Sequence, residues 1–269
     1  MKNNMELSRQ DAFVYQHHRH HLLIHMYRIL FFVLFLGLWE LAARRQWIDS
    51  FFFSSPSLVI IKFWELCVDN SLFIHIGVTL WETLISFLLV FFLSLLVATL
   101  LWYSQSVAEI SEPYLVVLNS LPKSALAPLI IVWLGTGMTT IIVAGMSVAV
   151  FGSIISFFTA FQQSDKEKVK LIQTLGGGRR DVFFKVILPG SIPILLSTTK
   201  VNIGLSLVGV IIGEFLAARQ GLGYLIIYGS QVFQLDLVIT SIIILCIIAM
   251  GLYKVIQALE HYIKKRISL

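Results

Sequence analysis

Charged residues are scarce in this chain of 269 residues: they make up 13% of it, whereas hydrophobic residues make up 57%. A soluble domain carries about 25% charged residues, so the usual solvating surface is missing. The composition therefore argues against a soluble globular enzyme, a disordered chain and a nucleic-acid-binding protein. It predicts a membrane protein.

Cysteine is nearly absent as well. Cys67 lies near a polar loop and Cys246 lies inside an apolar run, far from each other in the sequence. Neither a disulfide framework nor a Cys-x-x-Cys metal pair is predicted from two such residues.

Histidine is the one metal-ligating residue type that clusters. The i, i+4 spacings within the cluster suggest a metal hypothesis, but no cysteine or carboxylate completes the set. The favoured alternative is a partly protonated tail near anionic membrane lipid, with no metal bound. The cluster consists of His17, His18, His20, His21 and His25.

Long apolar stretches dominate the remainder of the chain. About 20 apolar residues suffice to cross the hydrocarbon core as a helix, because lipid offers backbone groups no hydrogen-bond partners. Six such stretches predict an all-α, polytopic membrane protein with six transmembrane helices. Residues 1–21 are expected to form a cytoplasmic tail, residues 22–269 the membrane domain, and residues 77–260 the core of that domain. The stretches are 22–43, 77–102, 114–134, 137–161, 192–212 and 235–259.

The distribution of lysine and arginine predicts the orientation of these spans, since such residues accumulate on the cytoplasmic side. With the N-terminus inside, thirteen basic residues fall on cytoplasmic segments and four on external ones. Both termini are therefore predicted to be cytoplasmic in a multi-pass protein of the cell membrane. The external four are Arg44, Arg45, Lys62 and Arg219.

One long polar loop, residues 162–190, separates the fourth and fifth spans. Ser164 and Glu167 have the spacing of a capping box and predict a helix start. Val169, Ile172 and Leu175 follow at helical spacing, which indicates a short amphipathic helix. The glycines at 176–178 are expected to end it in a left-handed cap.

A second short amphipathic helix is predicted after the glycines. Its apolar face would hold Val182, Phe183, Val186 and Ile187, and Leu188-Pro189 would end it. Two short helices joined at glycine on the membrane face suggest a docking surface.

The sequence KLIQTLGGGRRDVFFKVILP, residues 170–189, resembles the EAA loop of permease subunits in binding-protein-dependent ABC importers. Gly176 occupies the position of the motif's glycine, Val186 that of its isoleucine, and Leu188-Pro189 its ending. The name-giving triplet reads Lys170-Leu171-Ile172, and Glu167, one turn earlier, is the available substitute for the missing glutamate.

Three further segments are similar to the nitrate, sulfonate and taurine branch of these permeases. They are 54–57 (SSPS), 121–137 (LPKSALAPL and WLGTG) and 221–224 (GLGY), in the expected order. Two departures are Glu82, where the branch usually has arginine, and Ser86, Ser94 and Ala98, which replace glycines of the second span.

The resemblance implies a type I ABC importer permease fold and a set of partners. These are an external solute-binding protein, two cytoplasmic ABC ATPases, and a second permease copy in a homodimer. The sequence contains no GxxxxGK[ST]. The chain itself is therefore expected to be no enzyme and to bind no cofactor, with ATP and Mg²⁺ held by the ATPase. The solute is predicted to be a nitrate-, sulfonate- or taurine-like anion, or a pyrimidine precursor of thiamine.

In such importers the loop enters a groove on the ATPase. An amphipathic loop lying on the membrane surface is the alternative. The residues expected to make the contact are Glu167, Lys170, Leu175, Gly176, Val182, Phe183, Val186, Leu188 and Pro189.

The third span is expected to be broken. Pro122 and Pro128 remove helical hydrogen bonds, and broken backbone at membrane depth is tolerated against protein or a water-filled path. The alternative is a span that starts near Leu121, with Lys123 extending to the cytoplasmic interface. The candidates for the path or its gate are Asn119, Pro122, Lys123, Ser124, Pro128 and, at the outer end of the fifth span, Glu214.

Two smaller predictions concern polar residues in the spans. Glu214 either lines the external mouth or, as favoured, pairs with Arg219. Ser86, Ser94 and Ala98 share one helix face, which suits close helix packing.

Two other function classes fit the sequence less well. An intramembrane protease is disfavoured, because the spans hold neither a GxSxG serine with a histidine nor a paired aspartate. A secondary carrier driven by an ion gradient needs similar broken helices, but the repeated halves common in such carriers are not evident. The carrier remains the alternative function.

Overall fold

The computed structural model describes residues 9–267, and the side chains of residues 23–265 apart from His25. Every regular element in that range is helical, which confirms the predicted all-α class. The side chains of the clustered histidines lie outside the described residues, as do residues 1–8 of the predicted tail.

Twelve helices and one π-helical turn, Phe183–Ile187, make up the described chain. In order the helices are α1 (Arg9–Arg44), α2 (Ser50–Phe53), α3 (Pro56–Val68), α4 (Ser71–Tyr103), α5 (Gln105–Ser120), α6 (Lys123–Leu134), α7 (Met138–Gln162), α8 (Lys166–Thr174), α9 (Arg179–Val182), α10 (Leu188–Ala217), α11 (Leu222–Gln231) and α12 (Leu235–Ile267).

Five of these helical segments are long and apolar enough to cross a membrane, and α5 with α6 makes a sixth if the pair counts as one span. The pair is bent by 97° at residues 121–122, where the prediction placed a break. The helix α1 begins at Arg9 and continues into the first span, because neither glycine nor proline interrupts the chain before Gly37.

The helices α4, α7 and α10 pack against one another as the centre of the bundle. Their close approach depends on small residues: a Cβ atom at Gly209 would lie 2.8 Å from the Cα of Gly145. Ser86 and Ser94 are fully buried on α4 and donate to the carbonyls of Ile142 and Val150 on α7. The packing role predicted for these serines is confirmed.

The polar loop of residues 162–190 is attached to this bundle by an apolar cluster. Val182, Phe183 and Ile187 are each 3% exposed, and they pack with residues of α4, α7 and α10. Burial of a phenylalanine contributes about 1.5–3 kcal/mol, so the segment after the glycines is firmly held. The bundle residues of the cluster are Ala98, Phe157, Phe161 and Leu195.

Candidate functional site

The first helix of the loop, α8, begins one residue later than the capping-box spacing predicts. Asp165 is the N-cap, and its carboxylate accepts from the backbone N–H of Glu167 at 2.9 Å and of Lys168 at 3.4 Å. The hydroxyl of Ser164 is buried without a described partner. Aspartate caps as well as serine does and adds a negative charge at the helix N-terminus, so the capping prediction was wrong in its residue.

Gly176 ends α8 as predicted. Its φ of +82° is in the left-handed region, and the N–H of Gly177 donates to the carbonyl of Ile172 at 2.9 Å. A non-glycine residue would be strained at this φ. The chain therefore turns sharply between α8 and α9.

The prediction that Leu188-Pro189 ends a separate second helix is wrong. After α9 the backbone forms the π-helical turn and continues directly into α10, so residues 179–217 form one helical rod. Pro189 lies in the first turn of α10, and the N–H of Leu188 donates to the carbonyl of Phe183 in the wider π pattern. Proline is tolerated because the π turn changes the hydrogen-bond pairing at that point.

Some apolar residues of the loop face the helix bundle, and others face away from it. Val182 and Phe183, both predicted to contact the ATPase, are buried within the chain, and Val186 and Leu188 are half-buried. This corrects the predicted docking face, because buried side chains offer no surface to a partner.

The outward surface of the loop contains three large apolar side chains. Leu171 is 58% exposed, Leu175 is 75% exposed and Phe184 is 63% exposed. We call these three residues the loop face. Leu175 was predicted; Leu171 and Phe184 were missed, although Leu171 has the i, i+4 spacing with Leu175 that would have found it. Glu167, Lys170 and Pro189 are exposed as well.

Polar contacts fix the second half of the loop. The guanidinium of Arg179 donates to the backbone carbonyl of Tyr103, at the end of α4, at 3.0 Å. Asp181 accepts from the N–H of Gly178 at 3.1 Å and pairs with Lys185 at 2.7 Å. The segment from Gly178 onward is thereby tied to the bundle, and Val169 and Ile172 of α8 pack against the same apolar cluster.

The broken span brings four predicted path residues together. Lys123 folds back over the break, and its ammonium donates to the carbonyls of Leu118 at 2.8 Å and Asn119 at 2.6 Å. The ammonium thus occupies the carbonyl of Leu118, which Pro122, four residues later, cannot serve because proline has no N–H. The cation also suits the C-terminus of α5. Ser124 begins the next turn and is exposed, whereas Pro128 lies farther along α6.

Glu214 belongs to a separate site at the other end of α10. Its carboxylate accepts from the hydroxyl of Thr79 at 2.7 Å and from the N–H of Gly223 at 2.6 Å. Glu214 is fully buried and makes no ion pair with Arg219 among the described residues, so the favoured pairing was wrong. The reason is that the Thr79 hydroxyl and the N–H of Gly223 already donate to the two oxygens of the Glu214 carboxylate.

That turn is held to α4 by further contacts. The N–H of Leu222 donates to the Thr79 oxygen at 2.8 Å, and the N–H of Gly221 donates to Nδ1 of His75 at 2.9 Å. We call residues 218–223 the outer turn. His75 and Thr79 were missed, although with Glu82 they follow the 4 and 3 spacing of one polar helix face inside an apolar span.

An open cavity of about 910 Å³ adjoins the outer turn. It lies between the outer parts of α4, the start of α7 and the turn itself. Glu82 and Arg219 are its charged lining residues, and Trp81 and Met138 are among the apolar ones. The cavity is large enough for a small organic solute.

Comparison with known proteins adds a family match. Residues 90–269 match the family described as "Binding-protein-dependent transport system inner membrane component". A formylaminopyrimidine transport permease protein of Halalkalibacterium halodurans is 25% identical over 195 residues, 72% of this chain and 77% of the relative. A taurine transport system permease protein of Escherichia coli is 25% identical over 232 residues, 84% of each chain.

The fold also has a solved counterpart. A chain of the methionine ABC transporter MetNI, in an inward-facing conformation, superimposes with a TM-score of 0.62 at 18% identity. The match covers 74% of this chain and 97% of that chain.

Proposed function

Because the chain belongs to the family of binding-protein-dependent transport system inner membrane components, we propose that its cytoplasmic loop docks onto a separate ATPase and couples ATP hydrolysis to import of a small solute. The family makes the chain a permease of an ABC transporter and a multi-pass membrane protein. It confirms the predicted resemblance, and the MetNI likeness confirms the predicted fold.

The loop face is the observation that carries this proposal. Leu171, Leu175 and Phe184 are exposed on a segment rich in charged residues, where apolar side chains would otherwise be in contact with water. Apolar anchors spaced by i, i+4 within a polar rim are typical of a helix that enters a groove on a partner protein.

The inner side of the same segment supplies the connection to the membrane bundle. Phe183 is directly before Phe184, and its ring packs against Trp102 and Phe161. A displacement of the loop face therefore acts on α4 and α7 through buried contacts, which are closely packed and transmit strain.

ATP and Mg²⁺ are assigned to the ATPase in this proposal, and this chain holds no cofactor. An external solute-binding protein delivers the solute, and two copies of this chain in the lipid bilayer form the path. The basic residues of the loop and of the C-terminal segment 264–266 support a cytoplasmic location for both.

The solute is proposed to be a sulfonate-, taurine- or nitrate-like anion or a pyrimidine precursor of thiamine. The support is the similarity to two relatives, a formylaminopyrimidine transport permease and a taurine transport system permease. The ligand of the cognate external binding protein, identified by calorimetry, decides between these classes.

The docking of the loop is tested by copurification of the cognate ATPase with variants of this chain. Leu175→Asp places a charge in the loop face, and we expect the amount of bound ATPase to fall at least about tenfold, which corresponds to 1.4 kcal/mol. Gln173→Asp is the matched control, because Gln173 is also exposed on α8 but lies between the two leucines on another face. Equal retention by both variants would show that the loop lies on the membrane surface instead.

ATP dependence separates the importer from the alternative carrier. Proteoliposomes that contain this chain, the ATPase and the external binding protein should accumulate solute with ATP inside and should not do so with an ion gradient alone. Uptake by this chain without the ATPase would contradict the proposal and support the carrier.

A further inference from the structure

Two acidic side chains meet inside the bundle at the outer turn. Glu82 on α4 is 2% exposed and Glu214 on α10 is fully buried. Glu82 lies one helical turn after Thr79 on the same face of α4, and the Thr79 hydroxyl donates to Glu214 at 2.7 Å, so the two carboxyl groups are neighbours in one buried site. Such a contact needs a proton or a cation between the two groups, because like charges in a buried site repel strongly.

The hydrogen bonds of Glu214 identify it as the ionised member of the pair. One of its oxygens accepts from the Thr79 hydroxyl and the other from the N–H of Gly223. The Thr79 oxygen already accepts from the N–H of Leu222, so its hydroxyl hydrogen is directed to Glu214. An acceptor of two such donors is best served as a carboxylate.

Glu82, in contrast to Glu214, lacks hydrogen-bond donors around its carboxyl oxygen Oε2 among the described residues. Its Oε2 is buried and receives no hydrogen bond from the described residues. An oxygen that receives none but lies beside a carboxylate is suited to carry the proton and donate it. A buried ionised carboxylate without a partner would cost several kcal/mol.

The other titratable groups near the pair do not supply a paired cation. His75 uses Nδ1 as an acceptor for the N–H of Gly221, so that nitrogen carries no proton. Arg219 lines the cavity beside Glu82 but has no ion pair with either acid among the described contacts. The helix α11 contributes Tyr224 and Tyr228, and α7 contains no ionisable residue.

We propose that Glu82 and Glu214 form a binding site for one proton, donated by Glu82 to Glu214, that fastens the outer turn to α4. The occupied site holds one negative charge, which the two donors on Glu214 stabilise. Loss of the proton to water through the adjoining cavity leaves two negative charges in contact. Their repulsion separates α4 from the outer turn and opens the outer end of the bundle.

Transport then depends on external pH through this site, and this part of the inference rests on the proposed function. Residues 218–220 of the outer turn form one part of the lining of the cavity in which Glu82 lies, so release of the turn changes access to that cavity. Solute uptake is expected to vary with external pH in the wild-type importer and to be flat in Glu82→Gln. The glutamine amide donates to Glu214 in place of the protonated Glu82 carboxyl group, but it does not lose a proton at any pH at which the protein is folded.

Infrared spectroscopy of the purified full chain in lipid nanodiscs tests the proton directly. The wild type should show at neutral pH a protonated-carboxyl band that shifts in D₂O and disappears in Glu82→Gln. Glu40→Gln is the control, since Glu40 is paired with Arg44 at the end of α1, and it should retain the band. A wild-type spectrum without such a band, or a band that survives Glu82→Gln, would overturn the proposal.

Thermal unfolding supplies a second measurement that needs no transport. The wild-type melting temperature should fall by about 3 °C more than that of Glu82→Gln between pH 6 and pH 9, because the folded pair holds a proton that the unfolded chain has already released, and this advantage is lost as the pH rises. Glu82→Arg, which sets a permanent cation against Glu214, should share the reduced pH dependence of the glutamine variant. The same pH dependence in all three proteins would contradict a shared proton. Absence of uptake in every form, with the infrared band intact, would instead count against the importer function.

Discussion

At the scale of single residues, the outer turn contains a position, Gly221, where the packing of Glu214 requires a glycine. Gly221 has a φ of +115°, and a Cβ atom there would collide with the carboxylate of Glu214. Both the backbone conformation and the space therefore exclude a larger residue. The sequence motif at 221–224 marked this position, but its close approach to Glu214 and the hydrogen bond of its N–H to His75 on α4 could be identified only once the helices were packed.

We expect Gly221→Ala to destabilise the chain by about 2 kcal/mol, from the strained φ together with displacement of Glu214. Denaturant unfolding in detergent measures this loss. Gly77→Ala on α4 is the matched control, because no atom lies within 4 Å of its added Cβ. That variant should be neutral or slightly stabilising, since alanine favours helix. Equal effects of both substitutions would contradict the role of the outer turn.

The neighbouring residues Phe183 and Phe184 differ in exposure from 3% to 63%. Phe183→Ala should reduce stability by about 3 kcal/mol, because it leaves a cavity among aromatic rings. Phe184→Ala should leave stability nearly unchanged and weaken ATPase binding. Thermal unfolding and ATPase copurification are measured for both variants. If Phe183 faces the bundle and Phe184 faces the ATPase, the first variant loses mainly stability and the second loses mainly ATPase binding.

At the scale of elements, the helical spacing in the loop predicted the amphipathic segments but not which face turns inward. Val182, Phe183 and Ile187 do share a face, as predicted. The face is buried because the segment continues into α10, and the periodicity of a short helix contains no information about that continuation. The turn at Gly176 was predictable because it depends on local chemistry alone.

The break between α5 and α6 was also predictable, because Pro122 acts locally. The contacts of Lys123 were not, since the sequence allowed it to face either the path or the interface. Lys123→Met should lower stability by about 1 kcal/mol through loss of the donors to Leu118 and Asn119. Lys123→Arg retains such donors and should behave as the wild type in the same unfolding measurement. A loss of uptake in Lys123→Arg with normal stability would point to a direct role in the path.

At the scale of the whole molecule, hydropathy predicted the five continuous spans, because the lipid requirement acts on each stretch independently; the sixth predicted span corresponds to the bent pair α5 and α6. Contacts between distant segments could not be predicted in this way. Thr79 and Glu214 are 135 residues apart, and their hydrogen bond depends on the packing of α4 against α10. The buried acid pair is therefore a property of the assembled bundle.

The orientation of the molecule gives a further prediction. Single cysteines placed at Gln173 and at Gln220, in a background without Cys67 and Cys246, should react with an impermeant thiol reagent from opposite sides of the membrane. Gln173 should be labelled in inside-out vesicles and Gln220 in intact cells. Labelling of both from one side would contradict the predicted topology.

The helical rod from Arg179 to Ala217 contains 39 residues and is about 58 Å long. One end lies beside the loop face and the other end contains Glu214. A single continuous helical segment therefore connects the two sides of the membrane. Its one irregular stretch is the π-helical turn at Phe183–Ile187. Torque applied at the loop face must either deform that turn or reach the end of the rod that contains Glu214, so the two ends are linked mechanically without an intervening hinge.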